Sequence, residues 1–336
     1  MLNKIQKTVV SKPFLISLII VCLMFASLGV NVEHAYAADV NDTDEMELDV
    51  NVEDKLENSH ETKLMLENTQ ENPTLQAKTY SVTGGTFSDI QNAIDNATDG
   101  DTIKLSGKFT SKGDDTLLLK KKLTITSSSQ ATLDGKNNGV ILRIFKGAAN
   151  SQLSNLKFIN GYSDSKGGAI LITAQNVAFN KCVFENNSAE LSSGAIHTQY
   201  NAVSAQGMRI KNCNFTGNHA GIAAGALGIF AHDFLIENCV FNSNYVKGDG
   251  ECYGGAVQLG LDTEPSYGNV KNCLFVNNKA ISSVGLGHAG AGCVRNGSSY
   301  YNCVFIGNTA DWGSALTYHA SGNLDNCTLI NNTATK

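Results

Sequence analysis

Cysteine is the residue type with the greatest capacity for chemistry in this chain, because a thiol can form disulfides, bind metals or act as a nucleophile. The sequence has 9 cysteines in 336 residues. Cys22 lies in an apolar N-terminal segment, and the others lie between Cys182 and Cys327. No CxxC or HxxxH pair occurs, so the spacing does not suit a metal site. We therefore predict no bound metal and no cofactor.

The titratable residues are scattered rather than clustered along the sequence. Carbohydrate lyases need Asp clusters for calcium and a base that takes a proton from carbon, and glycoside hydrolases need two or three carboxylates on neighbouring coils. The only arginines are Arg143, Arg209 and Arg295. The acids considered are Asp233, Asp262, Glu264 and Asp311, and the histidines, expected on surface turns or in satisfied polar positions, are His197, His232, His288 and His319. The sequence thus predicts no catalytic residue.

Six of the cysteines belong to a repeated phrase. It reads KCVFENN at 181, NCNFTGN at 212, NCVFNSN at 238, NCLFVNN at 272, NCVFIGN at 302 and NCTLINN at 326, with NLKFING at 155 as a divergent copy. Residues two apart in a strand point to the same side, so we expect the Cys and Phe of each phrase to face inward. The predicted ladder is Leu156, Cys182, Cys213, Cys239, Cys273, Cys303 and Cys327, beside a second row of Phe158, Phe184, Phe215, Phe241, Phe275 and Phe305.

A second phrase alternates with the first. Its copies are GGAI at 167, SGAI at 193, AGAL at 224, GGAV at 254, a degenerate AGCV at 291 and GSAL at 313. The cysteine positions recur every 24 to 34 residues, with no helical period and only 3 prolines in the chain. Such intervals suit one coil of a solenoid. The pattern predicts an all-β fold, a right-handed parallel β-helix of about eight coils.

Stacked coils about 4.8 Å apart would place each residue over its counterpart. The turn asparagines would then form side-chain amide ladders and tolerate the left-handed backbone that such turns need. Glycine and alanine pairs would allow close backbone approach. Neighbouring thiols in the ladder would lie farther apart than a disulfide prefers, so we expect buried free thiols there. Cys252 and Cys293 lie off the ladder and are candidates for a disulfide or for reactive thiols.

A short amphipathic helix is predicted at the entry to the solenoid, in the stretch TFSDIQNAIDNATDG. Ser88 is the expected N-cap, Gln91 the capping-box partner, and Gly100 the end of the helix. The apolar stripe comprises Phe87, Ile90, Ala93, Ile94 and Ala97. This face would cover the first coil, whose edge would otherwise invite aggregation.

The first 37 residues are predicted to be a secretory signal peptide. Three lysines precede an apolar run, and Ala35-Tyr36-Ala37 forms an A-x-A cleavage site. An uncleaved membrane anchor is the alternative. Residues 38–78 are predicted to be a disordered acidic spacer, because the span from Asp39 to Glu71 holds twelve acids and two lysines. Residues 79–336 form the β-helix domain, whose nearly balanced charge does not indicate nucleic acid as a partner.

These motifs together resemble a known family. The stretch FSDIQNAIDNATDGDTIKL looks like the N-terminal cap of secreted, pectin-lyase-like right-handed β-helix proteins. The alternating GGAI and CVFENN phrases resemble the polymorphic outer-membrane protein repeat, and the region from about residue 80 to 336 is most similar to adhesin-like surface proteins of methanogenic archaea. The resemblance implies a largely non-catalytic scaffold displayed on the cell surface.

The functional hypothesis is therefore a secreted or cell-surface protein that binds glycans or a partner cell surface. Four insertions are expected to project from the coils and bind: Ala195–Cys213, Phe241–Ala256, Ala256–Cys273 and Phe275–Cys293. A polysaccharide lyase or glycoside hydrolase on the same fold is one alternative. A structural envelope protein is another.

Two features outside the repeats complete the sequence-based expectations. Asn41 and Asn296 are the N-x-[ST] asparagines best suited to accept a glycan, since several of the others coincide with ladder asparagines. The last repeat ends at Asn332, four residues before the final lysine. An uncapped coil edge there would be consistent with truncation, a partner chain or end-to-end assembly.

Overall fold

The computed structural model describes residues 76–199, 205–260, 266–295, 297–319 and 321–336. The predicted signal peptide, the acidic spacer up to residue 75, Asn41 and Asn296 lie outside the described residues. Gln76–Lys336 form one compact unit. No helix in the described part of the chain has both the length and the apolar character needed to cross a membrane.

Short strands dominate the described residues. One α-helix, α1, spans Phe87–Asn96, and a 3₁₀ turn spans Lys146–Ala148. The strands in the first half are β1 (Thr79–Thr86), β2 (Thr102–Thr110), β3 (Leu117–Leu119), β4 (Thr124–Asp134), β5 (Leu142–Ile144), β6 (Gln152–Ile159), β7 (Tyr162–Ser163), β8 (Ile170–Ile172), β9 (Ala178–Asn180), β10 (Val183–Glu185), β11 (Ser188–Ala189), β12 (Ile196–Thr198), β13 (Arg209–Lys211), β14 (Asn214–Thr216), β15 (His219–Ala220) and β16 (Leu227–Ile229). The remainder are β17 (Phe234–Glu237), β18 (Val240–Asn242), β19 (Tyr245–Gly248), β20 (Cys252–Tyr253), β21 (Val257–Leu259), β22 (Gly268–Lys271), β23 (Leu274–Val276), β24 (Lys279–Ser282), β25 (Gly287–His288), β26 (Gly292–Val294), β27 (Ser299–Tyr301), β28 (Val304–Ile306), β29 (Thr309–Ala310), β30 (Leu316–Tyr318), β31 (Leu324–Asp325), β32 (Thr328–Ile330) and β33 (Thr333–Ala334).

The strands form three long parallel sheets, each pairing one coil with the next. The first sheet has 16 strands and contains β1, β2, β4 and β6 together with two rows of short strands. The row that precedes the ladder cysteines is β9-β13-β17-β22-β27-β31, and the row that follows them is β10-β14-β18-β23-β28-β32. The second sheet has 8 strands, β3-β5-β8-β12-β16-β21-β26-β30, and the third has 7, β33-β29-β24-β19-β15-β11-β7. The chain is therefore a parallel β-helix, which confirms the predicted fold class, with about nine turns rather than eight.

The phenylalanine row forms the centre of the core. Phe184 pairs with Phe158 on one side and Phe215 on the other, and the series continues in register to Phe305. Successive rings stack nearly parallel, with centroids 5.0, 4.8, 4.8, 4.7 and 4.9 Å apart. Every ring in the row is buried. Because successive residues of a strand point to opposite faces, a slip of one residue would put a ring on the solvent side.

A second buried row consists of asparagines. The backbone N–H and the side-chain Nδ2 of Asn218 both donate to Oδ1 of Asn244, at 3.0 Å each. Asn218 Nδ2 also donates to the carbonyl of Phe184 in the preceding coil. The same pattern joins Asn187, Asn218, Asn244, Asn278, Asn308 and Asn332. The amides thus satisfy turn groups that would otherwise be buried without partners.

The turn residues that adopt a left-handed backbone, most of them asparagines, occupy different positions from this buried row. One set precedes the ladder positions, with φ between 48° and 55°: Asn155, Lys181, Asn212, Asn238, Asn272, Asn302 and Asn326. A further set precedes each buried asparagine and includes Asn186 and Gly217. The exposed asparagines before the cysteines also form an amide ladder, since Nδ2 of Asn302 donates to Oδ1 of Asn272 at 3.2 Å and Nδ2 of Asn326 donates to Oδ1 of Asn302 at 2.7 Å. These positions therefore combine the left-handed backbone with the amide ladder, whereas the buried row forms a ladder without it.

The second glycine of the GGAI phrase is required by close approach between coils. A Cβ on Gly225 would lie 2.1 Å from the carbonyl oxygen of Gly255, and one on Gly194 would lie 2.3 Å from that of Gly225. The degenerate copy was placed wrongly at 291. Val257 pairs with Gly292, and the left-handed φ of 63° falls on Ala289, so this copy is AGAG at 289.

Helix α1 packs its predicted apolar stripe into the buried core, but its ends differ from the prediction. The N-cap is Thr86, not Ser88, because the Asp89 carboxylate accepts hydrogen bonds from the backbone N–H and the hydroxyl of Thr86. Gln91 instead binds the next coil, accepting from the backbone N–H of Leu118 at 2.8 Å. The helix ends at Asn96, well before Gly100.

Replacement of one buried ladder asparagine tests this interpretation of the turns. We expect Asn244→Ala to lower the free energy of unfolding by about 2–4 kcal/mol, since it leaves buried groups of Asn218 and Phe215 without partners. Asn238→Gly is the matched control, because Asn238 is exposed and glycine tolerates its φ of 54°, and it should cost less than about 1 kcal/mol. Urea denaturation followed by circular dichroism measures both. Equal losses of unfolding free energy in the two variants would contradict the role assigned to Asn244.

Candidate functional site

The structure places the ladder cysteines in one column inside the first sheet. The backbone N–H of Cys182 donates to Sγ of Cys213, and that of Cys213 donates to Sγ of Cys239, each at 3.4 Å. Leu156 occupies the same column in the preceding coil, being buried one residue before Lys157, which pairs with Val183. Each thiol also lies within hydrogen-bonding distance of a backbone carbonyl, for example Sγ of Cys213 and the oxygen of Lys211 at 3.1 Å.

These thiols suit packing better than chemistry. Burial, with the hydrogen bonds and charges of neighbouring thiols, raises the pKa of Cys213 and of Cys273 well above the usual range. Hydrogen bonds from neighbouring thiols and backbone groups outweigh burial and lower the pKa of Cys182, Cys239 and Cys303. All five thiols are buried, and a thiol without access to solvent is a poor nucleophile and a poor metal ligand. The cysteine column therefore acts as a row of small apolar side chains.

The two off-ladder cysteines have different surroundings. Of the cysteines that the structure describes, none is disulfide-bonded. Cys252, in β20, is buried, and burial with the charge of nearby Asp311 raises the pKa of its thiol. Cys293 lies in β26 between Gln258 and Thr317 and is also buried. Neither position favours a reactive thiolate.

Alkylation of the native protein tests the state of the cysteines. Cys327, in the last described coil, is the one described cysteine that is not buried. We expect iodoacetamide to modify Cys327 first and the other described cysteines only after unfolding, because reaction requires access to the thiol. Peptide mass spectrometry identifies the labelled sites. Rapid native labelling of Cys252 or Cys293, or a disulfide-linked peptide, would contradict this arrangement.

The outer face of the second sheet carries a row of mostly polar residues. Alternate residues of each strand point away from the core, and their register gives one row along the column. That row is Arg143, Leu171, His197, Gly228, Gln258, Cys293 and Thr317. Arg143 and His197 are separated by 54 positions in sequence but only two coils in space.

A polar cleft of about 280 Å³ opens over the first part of this row. We call it the cation cleft; it is lined by Arg143, Ser163, Asp164, Ser165, Lys166, Leu171, His197 and Gln199. Arg143, Asp164 and Gln199 are exposed, and Lys166 is half-buried. Two cations and one carboxylate line the cleft besides the histidine, so its charge is net positive. The strands of the second sheet supply its floor, and the turn after β7 supplies one wall.

His197 forms the buried part of the cleft. Its side chain is 1% exposed, its Nδ1 lies 2.9 Å from Oγ of Ser193, and its ring lies 5.1 Å from that of Phe230. Burial, assisted by the charge of Lys166, lowers the pKa of His197 to about 3. The imidazole is therefore neutral at physiological pH and serves as a polar group of fixed position rather than as a strong base.

Sequence reasoning named Arg143 and His197 but did not join them, and it missed Lys166 and Asp164. The sequence indicated part of this row, because Leu171 and His197 both stand two positions after the alanine of their GGAI-type phrase. Lys166 directly precedes its GGAI phrase, as Ser192 and Ala223 precede theirs, so the repeat also marks its row. Lys166 enters the cleft because it precedes the left-handed Gly167, where the chain turns into the second sheet.

The other charged residues considered from sequence fall elsewhere. Arg209 forms an ion pair with Asp233, and His232 stacks on Tyr267 at 5.2 Å. Asp311 is buried and accepts backbone hydrogen bonds from Ser282 and Gly287, while Arg295, His288 and His319 meet at a separate cluster of aromatic rings. Asp262 and Glu264 lie outside the described residues. Within the described ranges, no group of three or more His, Cys, Asp or Glu residues is placed to hold a metal ion.

Two of the predicted binding insertions stack on each other. Strand β19 pairs with β24, and β20 pairs with β25, so the Phe241–Ala256 and Phe275–Cys293 insertions form additional rungs rather than separate loops. The other two insertions include residues 200–204 and 261–265, which lie outside the described residues. The contact surface expected from loops is therefore partly a continuation of the sheets.

Comparison with known proteins identifies no family. No family model matches the chain, and no curated protein matches it. Among solved structures, the alginate lyase AlyGC of the PL6 family is 15% identical, with a TM-score of 0.40, over 76% of this chain and 39% of that chain. A pectate lyase variant from Xanthomonas campestris is 14% identical, with a TM-score of 0.34, over 74% of this chain and 79% of that chain. Similarity this low bears on the fold alone.

The buried imidazole predicts a specific pH dependence. Because the folded state lowers the pKa of His197 from 6.5 to about 3, the unfolded state binds one more proton between these values, and stability falls as the pH falls. We expect the loss of unfolding free energy between pH 7 and pH 5 to be about 2 kcal/mol larger for the wild type than for His197→Gln. Urea titrations at both pH values measure it. Equal losses of unfolding free energy in the wild type and in His197→Gln would show that His197 is not held neutral.

Proposed function

We propose that this protein binds an acidic glycan in the cation cleft, as an adhesin-like protein secreted to the cell surface. The observation that carries the proposal is the convergence of Arg143 and Lys166, from two consecutive coils, on one polar cleft. The expected signal peptide and the resemblance to archaeal adhesin-like proteins support the location. The expected acidic spacer would serve as a stalk.

The chemistry of the lining residues supports a carboxylated sugar. A guanidinium presents paired donors that match a carboxylate, while a lysine ammonium adds a compact charge. The side chains of Ser163, Ser165 and Gln199 offer neutral donors and acceptors for sugar hydroxyls. The neutral imidazole of His197 adds no charge of its own. An acidic sugar would therefore find its charge balanced and its hydroxyls within reach of polar groups.

The rigidity of the scaffold also supports binding. Arg143 stands on β5 and His197 on β12, with inward neighbours Leu142 and Ile196 buried in the core. Side chains on packed strands lose less freedom when a ligand arrives than side chains on mobile loops. This favours a preformed site over one that assembles around its ligand.

Polysaccharide β-elimination is the second candidate, and the same pair of cations favours it. The reaction takes a proton from the carbon next to a uronate carboxylate, so it needs a cation on that carboxylate and a base beside the carbon. Arg143 or Lys166 could supply the cation on the carboxylate. His197 is unsuited to the base role because its pKa is about 3. Ultraviolet absorbance of unsaturated uronate ends, after incubation with alginate or polygalacturonate, distinguishes turnover from binding.

Substitution of the two cations tests the binding proposal. We expect Arg143→Ala and Lys166→Ala each to weaken binding of a short uronate oligosaccharide about tenfold, because each removes one charge-assisted hydrogen bond. Lys104→Ala is the matched control, since Lys104 is an exposed cation of β2 outside the cleft, and it should leave the affinity unchanged. Isothermal titration calorimetry measures the affinities, which should fall as salt is added.

Two results would overturn this proposal. One is absence of binding to alginate, polygalacturonate and their oligosaccharides, which would favour a purely structural envelope protein. The other is binding that Lys104→Ala weakens as much as Arg143→Ala does. The second result would indicate diffuse attraction to surface charge rather than a site.

A further inference from the structure

We propose that an aromatic cluster of Tyr253, His288 and Trp312 is a second subsite for the same ligand. The ligand is then a long acidic glycan lying along the column, with one sugar ring stacked on Trp312. This inference rests on the proposed function, because it assumes that the cation cleft holds an acidic sugar. The second subsite would set the length of the ligand and its direction along the column.

Backbone register places the two sites on one line. Lys166 pairs with Ser192, Ser192 with Ala223, and Ala223 with Tyr253, each in parallel bridges. Tyr253 then pairs with His288, and His288 with Trp312. We call these six residues the axial row. Its first member lines the cation cleft, and its last three form the aromatic cluster.

The length of the row sets the length of the ligand. From Lys166 to Trp312 there are five steps between coils, which at about 4.8 Å each span roughly 24 Å. Between the two sites the row holds only the small side chains of Ser192 and Ala223, both buried. No bulky side chain of the row interrupts the path. Leu191 and Ile222, each preceding one of these small residues, are 40% and 46% exposed and line the path with apolar surface.

The aromatic cluster presents a platform held by its neighbours. The rings of Tyr253 and His288 stack at 5.0 Å, and Trp312 meets His288 edge to face at 5.3 Å. The backbone N–H of Trp312 donates to Gly287 at 2.9 Å, and its carbonyl accepts from Ala289 at 3.1 Å. Trp312 is nevertheless 52% exposed. An exposed, fixed aromatic face suits the apolar side of a sugar ring.

Polar groups at the edge of the platform complete the subsite. The guanidinium of Arg295 lies 4.1 Å from the centre of the Tyr253 ring, and the His319 ring lies 6.0 Å from that of His288. The Glu251 carboxylate contacts Nε2 of His288. The positive charge of Arg295 can therefore attract a second carboxylate of the glycan. A few polar groups beside an apolar face give a sugar its orientation.

Two linked subsites give a dependence on ligand length. A disaccharide can occupy the cation cleft alone, whereas a chain that spans both sites gains the second contact without a second loss of translational freedom. The affinity should therefore rise when the oligosaccharide becomes long enough to reach Trp312.

The experiment uses the intrinsic fluorescence of the full chain, in which Trp312 is the only tryptophan. The probes are the disaccharide and the octasaccharide of polygalacturonate, with the matching alginate pair. We expect the octasaccharide to shift the emission of Trp312 on binding and the disaccharide to bind without a shift. Calorimetry should show that Trp312→Ala weakens the octasaccharide at least tenfold and leaves the disaccharide unchanged. Tyr267→Ala, which removes another exposed aromatic ring outside the cluster, is the control and should change neither affinity.

The outcomes separate this inference from the function beneath it. If Arg143→Ala weakens both ligands but Trp312→Ala weakens neither, the second subsite is wrong and the cation cleft stands. If neither ligand binds, both proposals fall. Trp312→Phe keeps an aromatic face, so it should retain most of the octasaccharide affinity. If Trp312→Phe loses as much octasaccharide affinity as Trp312→Ala does, stacking is not the contact. Circular dichroism and urea denaturation confirm that each variant folds.

Discussion

The buried asparagine of each turn is the contact on which the coils depend for their register. A parallel sheet satisfies its own backbone groups, but a tight turn between two sheets leaves N–H and C=O groups inside the protein. Here Asn218, Asn244 and their counterparts bind the turn of one coil to the amide of the next, so a mismatch would leave several buried polar groups without partners. The stacked phenylalanines then fill the core in the same register. Directional hydrogen bonds fix the alignment, and burial of apolar surface supplies most of the stability.

Register also explains how a chemically quiet sequence builds a polar site. Each position of the repeat becomes a row along the column, and rows that face solvent are free to vary. Arg143, Leu171 and His197 share one outward row, while Lys166 begins another that ends at Trp312. Residues that are far apart in sequence therefore meet whenever they hold equivalent positions in neighbouring coils. A repeat scaffold can acquire a ligand without any change to its core.

The fold was predictable because its signals are local and repeated. Cys and Phe two positions apart, glycine where the next coil approaches, and asparagine at the turns each have one physical cause, and the copies reinforce one another. The prediction failed at two kinds of position. Gln91 had competing partners and binds the next coil instead of closing the helix. At 289 the phrase AGAG keeps the backbone conformation of the GGAI phrase but not its residue types. The cation cleft was harder to foresee, since the positions equivalent to Lys166 in the next two coils carry Ser192 and Ala223, so the repeat gives the place of Lys166 but not its charge.

Hydrogen exchange at the turns measures the central claim most directly. In ordinary surface loops the backbone amides exchange rapidly, because few are hydrogen-bonded to other groups. Here the amides of Asn187, Asn218, Asn244 and Asn278 donate to the asparagine side chain of the next coil, so these turn peptides should be protected about as long as the adjoining strands. Mass spectrometry of the exchanging protein gives the answer. Turn amides that exchange as fast as unstructured peptides, while the strands stay protected, would contradict the ladder and the register that depends on it.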